Sequence, residues 1–185
     1  MTPEQEFAII DKVLAGNPSA YADLVNRYKN YAFTLALKVL SNRPEAEEAA
    51  QDAFVKAYHH LKNFNRESKF STWLYRIVFN TAVSYKRKRK GTYQDIEKTE
   101  VGLNPVAESN LEKNDKKKFI HAAMSTLNEA DRFTLTLFYL QEHSLEEIAE
   151  ITGMQANTVK VRIHRARQRL ADELTRILNT EALTL

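Results

Sequence analysis

A chain of 185 residues with 43% apolar and 28% charged side chains has room for one ordinary domain or two small ones, and its composition is that of a globular protein. It contains no cysteine, which excludes disulfides, thiolate-bound zinc, iron–sulfur clusters and cysteine nucleophiles, and suits a reducing compartment. The formal net charge is only +3, but it is unevenly spread: 15 basic against 9 acidic residues over 1–90, 2 against 6 over 91–115, and 10 against 9 over 116–185.

The acidic start, Met1-Thr2-Pro3-Glu4-Gln5-Glu6, lacks the apolar stretch of a signal peptide, and no apolar run is long enough for a membrane span. With four glycines and four prolines, all at breaks in the pattern, and no strand-like alternation, the expected class is all-α. A first helix is predicted near 3–15, with Phe7, Ile10 and Leu14 on one face. A second, over about 19–40, starts at Ser19 as N-cap and carries Leu24, Tyr28, Tyr31, Leu35 and Val39 at helical spacing. Pro44 suits the first turn of a third helix, about 44–62, with Ala50, Phe54, Ala57 and Leu61 inward. Residues 63–70 read as a loop. A fourth helix, about 71–89, turns Leu74, Ile77, Val78, Thr81 and Tyr85 along one face.

Residues 91–114 are acidic, punctuated by Gly91, Gly102 and Pro105, and have no apolar period. They read as a flexible, self-repelling linker. It divides the chain into domains at 1–90 and 115–185. Beyond it, a helix near 115–126 is followed by one starting at Asn128 as N-cap. Ser144-Leu145-Glu146-Glu147 then has the form of a capping box opening a short helix that ends before Gly153. A long helix follows over about 156–178.

The segment Ser144 to Leu170 reads as a helix-turn-helix. At about 100° per residue, Val159, Ile163, Ala166 and Leu170 form an inner stripe, while Val161, His164, Arg165 and Gln168 point away from it. Lys160 and Arg167 flank one side of the stripe, Arg162 and Arg169 the other. Such a helix fits the major groove, its flanking cations neutralise phosphates, and Thr158 with the helix N-terminus suits a phosphate contact.

Residues 64–90 interleave rings with cations: Phe64, Phe70, Trp73, Tyr75, Phe79 and Tyr85 with Arg66, Lys69, Arg76 and the run Lys86-Arg87-Lys88-Arg89-Lys90. That pattern suits single-stranded nucleic acid, with bases on rings and cations along the backbone. The loop at 63–70 suits the wall of a pocket for an unstacked base, with Asn80 placed to hydrogen-bond it. Trp73 and Phe79 are expected to be partly core.

These motifs together resemble the extracytoplasmic-function (ECF) sigma factors, the small specificity subunits of bacterial RNA polymerase. Ala46 to Phe64 (AEEAAQDAFVKAYHHLKNF) is similar to their second conserved region. Phe70 to Thr81 (FSTWLYRIVFNT) is similar to their promoter-melting segment, and Leu127 to Leu135 with Ser144 to Leu170 to region four. The resemblance implies two small helical domains with a helix-turn-helix in the second, and a non-enzymatic protein without cofactor or metal that acts in the cytoplasm. It implies as partners core RNA polymerase, promoter DNA (duplex at −35, single-stranded at −10) and an anti-sigma factor.

By position, Gln51 and Asp52 match contacts to the polymerase clamp. Phe64, Asn65, Arg66, Lys69, Phe70, Trp73, Arg76, Asn80, Lys86, Arg87 and Arg89 make up the implied −10 surface. Asn157, Thr158, Lys160, Val161, Arg162, His164, Arg165 and Arg167 make up the implied −35 surface. The chain departs from the family pattern at Asn65-Arg66-Glu67, Asn157 and Val161, so no relative's promoter sequence carries over.

Two other classes fit parts of the sequence. A stand-alone helix-turn-helix regulator would bind duplex sites without polymerase, usually as a dimer. A nucleic-acid hydrolase would need a metal or phosphate motif; the five histidines are scattered and no Gly-rich phosphate loop or HExxH occurs.

Overall fold

The computed structural model describes residues 2–92 and 111–182, with side chains for 2–89 and 118–179. The described residues contain eight α-helices, two short 3₁₀ turns and no strand: α1 (Pro3–Leu14), α2 (Tyr21–Leu40), α3 (Arg43–His60), α4 (Phe70–Thr92), α5 (Leu111–Thr126), α6 (Glu129–Leu140), α7 (Leu145–Thr152) and α8 (Ala156–Ala182). The chain divides into two compact units, Met1–Glu97 with Glu146–Met154, and Lys98–Leu145 with Gln155–Leu185.

In the first unit, Thr2 and Gln5 form a capping box on α1, with Pro3 in the first turn, where its missing N–H costs nothing. The second helix starts two residues later than its periodicity predicts. Pro18–Ala20 forms a single 3₁₀ turn, and the Ser19 hydroxyl donates to Asn17 Oδ1 (2.9 Å) instead of capping α2. Asn42 caps α3, its Oδ1 accepting from the Glu45 N–H at 3.0 Å, and Pro44 lies in the first turn.

One face of α3 carries Ala46, Ala49, Ala50, Ala53 and Ala57, all buried. These small side chains let α3 pack closely on α2 and α4. The core between the three helices is filled by Leu24, Leu35, Leu40, Leu61, Phe70, Leu74, Tyr75 and Val78. Its polar groups are satisfied. Tyr21 Oη donates to the Phe54 carbonyl at 2.9 Å, and buried Glu6 accepts from Tyr28 and pairs with Arg27 (3.2 Å).

In the second unit, Asn128 caps α6, accepting from the Asp131 N–H at 2.9 Å. Phe133, Leu135 and Leu137 of α6 are buried, as are Ala123 of α5 and Val159, Ile163 and Ala166 of α8. The expected inner stripe of the long helix is thus the one that packs, with Leu170 half-buried at its end. The segment read as a linker, 91–114, lies mostly outside the described residues. Within them, α4 continues to Thr92 and α5 begins at Leu111, so both helices extend further into that segment than their apolar periods indicate.

Candidate nucleic-acid interface

The loop between α3 and α4 is held by several side-chain contacts. Asn65 makes an Asx-type turn, its Oδ1 accepting from the Glu67 N–H (3.3 Å) and its Nδ2 donating to Glu67 Oε2 (2.5 Å). Arg66, between them, has φ +63°, the left-handed region. Its guanidinium pairs with Asp11 of α1 through both Nη atoms and lies 5.5 Å from the Phe7 ring centroid.

The rings beneath the loop form a cluster. Phe64 lies 5.7 Å from Phe70 and 5.3 Å from Trp73, with Phe70 and Trp73 5.7 Å apart. Phe70 is fully buried and Phe64 nearly so, whereas Trp73 is half-buried at the edge. Phe64 and Phe70 therefore serve as the floor of the loop, not as open stacking faces. Phe79 is likewise half-buried, in keeping with a partly core role.

The polar side chains of this surface are not equivalent. Arg76, Asn80 and Arg87 are exposed. Lys69 Nζ pairs with Glu147 Oε1 at 2.9 Å, and Ser68 Oγ donates to Glu150 Oε1 at 3.1 Å. Arg89 donates to the Leu40 carbonyl at the end of α2 (3.3 Å) and pairs with Glu45 (3.2 Å), so it ties α2, α3 and α4 together. Lys86 is half-buried.

On α3, Gln51 and Asp52 are both exposed. Asp52 Oδ2 accepts from Tyr85 Oη at 2.7 Å, and this bond to a carboxylate pushes the Tyr85 phenol up to about 12. Val55 (56% exposed) and Tyr58 (39%) continue the same face along the helix. The periodic reading, which looked for inward residues, passes over these two because an exposed apolar residue carries no signal on its own.

In the second unit, α6 and the first half of α8 border a groove of about 470 Å³, lined by Asn128, Asp131, Asn157, Thr158, Val161, Arg162, Arg165 and Arg169. Lys160, Val161, His164, Arg165 and Arg167 are exposed, with Val161 at 48%. Arg162 is different. Its Nη1 donates to Asp131 Oδ1 at 3.0 Å, and Arg169 binds the other oxygen of the same carboxylate. Asp131 is buried, only 3% of its side chain being exposed, and also accepts from Asn128 Nδ2 at 2.9 Å. The sequence places Arg162 and Arg169 on one flank of the stripe but does not find their counter-ion. The signal for it is an acid at the third residue of α6, two residues ahead of the apolar run.

Before α8, Gly153 takes φ +72°, with its N–H donating to the Ala149 carbonyl at 2.8 Å; a side chain would be strained there. Among the described residues no group of histidines and carboxylates could hold a metal ion, and no helix is long and apolar enough to cross a membrane.

Sigma-70 region 2 matches residues 24–92, and sigma-70 region 4 matches residues 120–170. The ECF RNA polymerase sigma factor SigW of Bacillus subtilis is 35% identical over 176 residues, covering 89% of this chain and 94% of its own length. This chain belongs to the ECF sigma factors.

The RNA polymerase sigma-H factor of Pseudomonas aeruginosa is 32% identical over 189 residues, covering 96% of this sigma factor and 98% of its own length. Among solved structures, the sigma factor RpoE in complex with the anti-sigma factor NepR from Bartonella quintana superposes with a TM-score of 0.70 at 26% identity, over 84% of this chain and 96% of that one. CnrH in complex with the cytosolic domain of CnrY shares the fold, with a TM-score of 0.65 at 22% identity. As a sigma factor, the protein binds core RNA polymerase, directs it to specific promoters and promotes strand opening. It is an initiation factor and not an enzyme.

Proposed function

We propose that separate stretches of the chain divide this work by surface. In this reading residues 1–90 bind core polymerase and the −10 element, 91–114 link, and 115–185 bind the −35 element. The exposed face of α3, with Gln51, Asp52 and Val55, docks on core polymerase. The loop at 64–69 and the first turns of α4, with Asn65, Lys69, Trp73, Arg76 and Asn80, receive unpaired −10 bases. Strand opening then needs no bond chemistry, because binding unstacked bases offsets an unstacking cost of roughly a few kcal/mol per base. The outward face of α8, with Lys160, Val161, His164 and Arg165, enters the −35 major groove.

The observation that carries this reading is α8 itself. Its inner stripe is buried while the residues a half-turn away are exposed and basic, bordering an arginine-lined groove. Arg162 and Arg169 are better read as holding the helix than as free phosphate ligands, because both are committed to Asp131. By likeness to sigma factors solved with anti-sigma factors, a partner of that kind is proposed for this protein too, and the cytoplasm as its place of action.

The division of labour is tested by two variants in binding assays with core polymerase and promoter duplex. Arg165→Ala is expected to weaken promoter binding by the holoenzyme about tenfold, the worth of one good base-edge contact, and leave core affinity unchanged. Gln51→Ala with Asp52→Ala is expected to lower core affinity instead. Equal loss of both activities in either variant contradicts the division.

A further inference from the structure

We propose that Asp11, on the N-terminal helix, is a positioning residue for promoter opening: it holds Arg66, and through Arg66 the apex of the 64–69 loop. The inference rests on the reading of that loop as the part that meets the −10 strand. Three observations carry it. First, Arg66 has φ +63°, a backbone conformation that a side chain other than glycine adopts only when its surroundings hold it there. Second, its guanidinium reaches out of the loop to α1, where both Nη atoms meet the Asp11 carboxylate, Nη1 at 3.4 Å from Oδ2. Third, the same guanidinium lies over Phe7, 5.5 Å from the ring centroid, and Phe7 in turn lies 6.1 Å from Phe64 at the start of the loop.

Phe7 and Asp11 are four residues apart, so α1 presents a ring and a carboxylate side by side to one cation. The hydrogen bonds between Asn65 and Glu67 shape the turn but stay within it. The Asp11–Arg66 pair joins that turn to α1. Arg66 is then engaged by protein and not offered to DNA, and its task is to set where Asn65 and its neighbours lie. Glycine at 66 would take the same φ with no tether, which separates the role of the backbone from that of the side chain.

The experiment uses holoenzyme assembled from core polymerase and full-length protein, and a fluorescent synthetic non-template strand spanning the −10 element of a promoter mapped with this holoenzyme. Strand affinity and core affinity are measured for Asp11→Asn, Arg66→Ala, Arg66→Gly and the double variant Asp11→Asn with Arg66→Gly. Asp11→Asn and Arg66→Ala are each expected to weaken strand capture about fivefold, the upper end for an exposed pair, with core affinity unchanged. Arg66→Gly is expected to stay within about twofold of the parent, and Asp11→Asn to cost nothing further on that background.

The proposal is overturned if Asp11→Asn is silent, if it costs as much beside Gly as beside Arg, or if Arg66→Gly falls as far as Arg66→Ala, which would mean that Arg66 touches DNA itself. Asn65→Ala and Lys69→Ala serve as reference variants. If they lose strand capture while Asp11→Asn does not, the tether alone is wrong. If they too are silent, the assignment of the loop to the −10 strand fails.

Discussion

Asp52 illustrates how a single residue can be exposed and yet ordered. Its carboxylate lies on the open face of α3, but Tyr85 of α4 donates to it across the helix pair at 2.7 Å. A phenol donating to a carboxylate loses its proton reluctantly, which is why Tyr85 rises from 10.0 to about 12. For an acid whose pKa is raised in the fold, the stabilising bond is fully present below pH 10 and is lost as pH rises toward 12. Thermal unfolding of the parent and of Tyr85→Phe is therefore expected to differ by a constant margin up to about pH 10. The margin should close between 10 and 12. A margin that persists above that range would mean that the hydroxyl stabilises the fold by something other than its bond to Asp52, since the ring is the same in both proteins. The sequence gives Asp52 a role by resemblance, but the tyrosine that orients it lies 33 residues away and leaves no local signal.

At the scale of elements, periodicity and capping carried most of the fold. The inner stripe of α8, the Asn128 cap and the proline in the first turn of α3 all stand where the pattern puts them. The misplaced boundaries have physical causes. Ser19 is a good cap by type, but Pro18 sets up a 3₁₀ turn that delays α2. The helices α4 and α5 run beyond their apolar periods because a polar turn needs no burial to continue a helix already nucleated.

What spacing cannot give is pairing between helices, and Asp131 is the clearest case. It holds Arg162 and Arg169, two turns apart on α8, with one buried carboxylate on α6. Asp131→Ala removes the shared counter-ion. The cost should fall short of a fully buried pair, because Arg162 and Arg169 are 31% and 55% exposed and regain water. A loss of about 1–3 kcal/mol in the second unit is expected by denaturant unfolding, against less than about 1 kcal/mol for Arg169→Ala, which leaves Arg162 in place. Equal effects of the two would argue that the pair with Arg162 contributes nothing.

On the scale of the whole molecule, the family was legible from motifs in both halves of the sequence. The loop geometry was not. A sequence marks 64–69 as irregular, but that Arg66 adopts a positive φ and turns toward α1 depends on a contact 55 residues away. On the proposed division of surfaces, promoter selection should require both to be presented together by polymerase.

That requirement makes transcription, and not DNA binding alone, the decisive readout. Core RNA polymerase, with and without this protein, would be supplied with a library of genomic fragments and the transcript starts mapped. The account predicts discrete starts that depend on the protein and share two upstream elements at fixed spacing. No new starts, accompanied by tight binding of the protein alone to duplex sites, would contradict it.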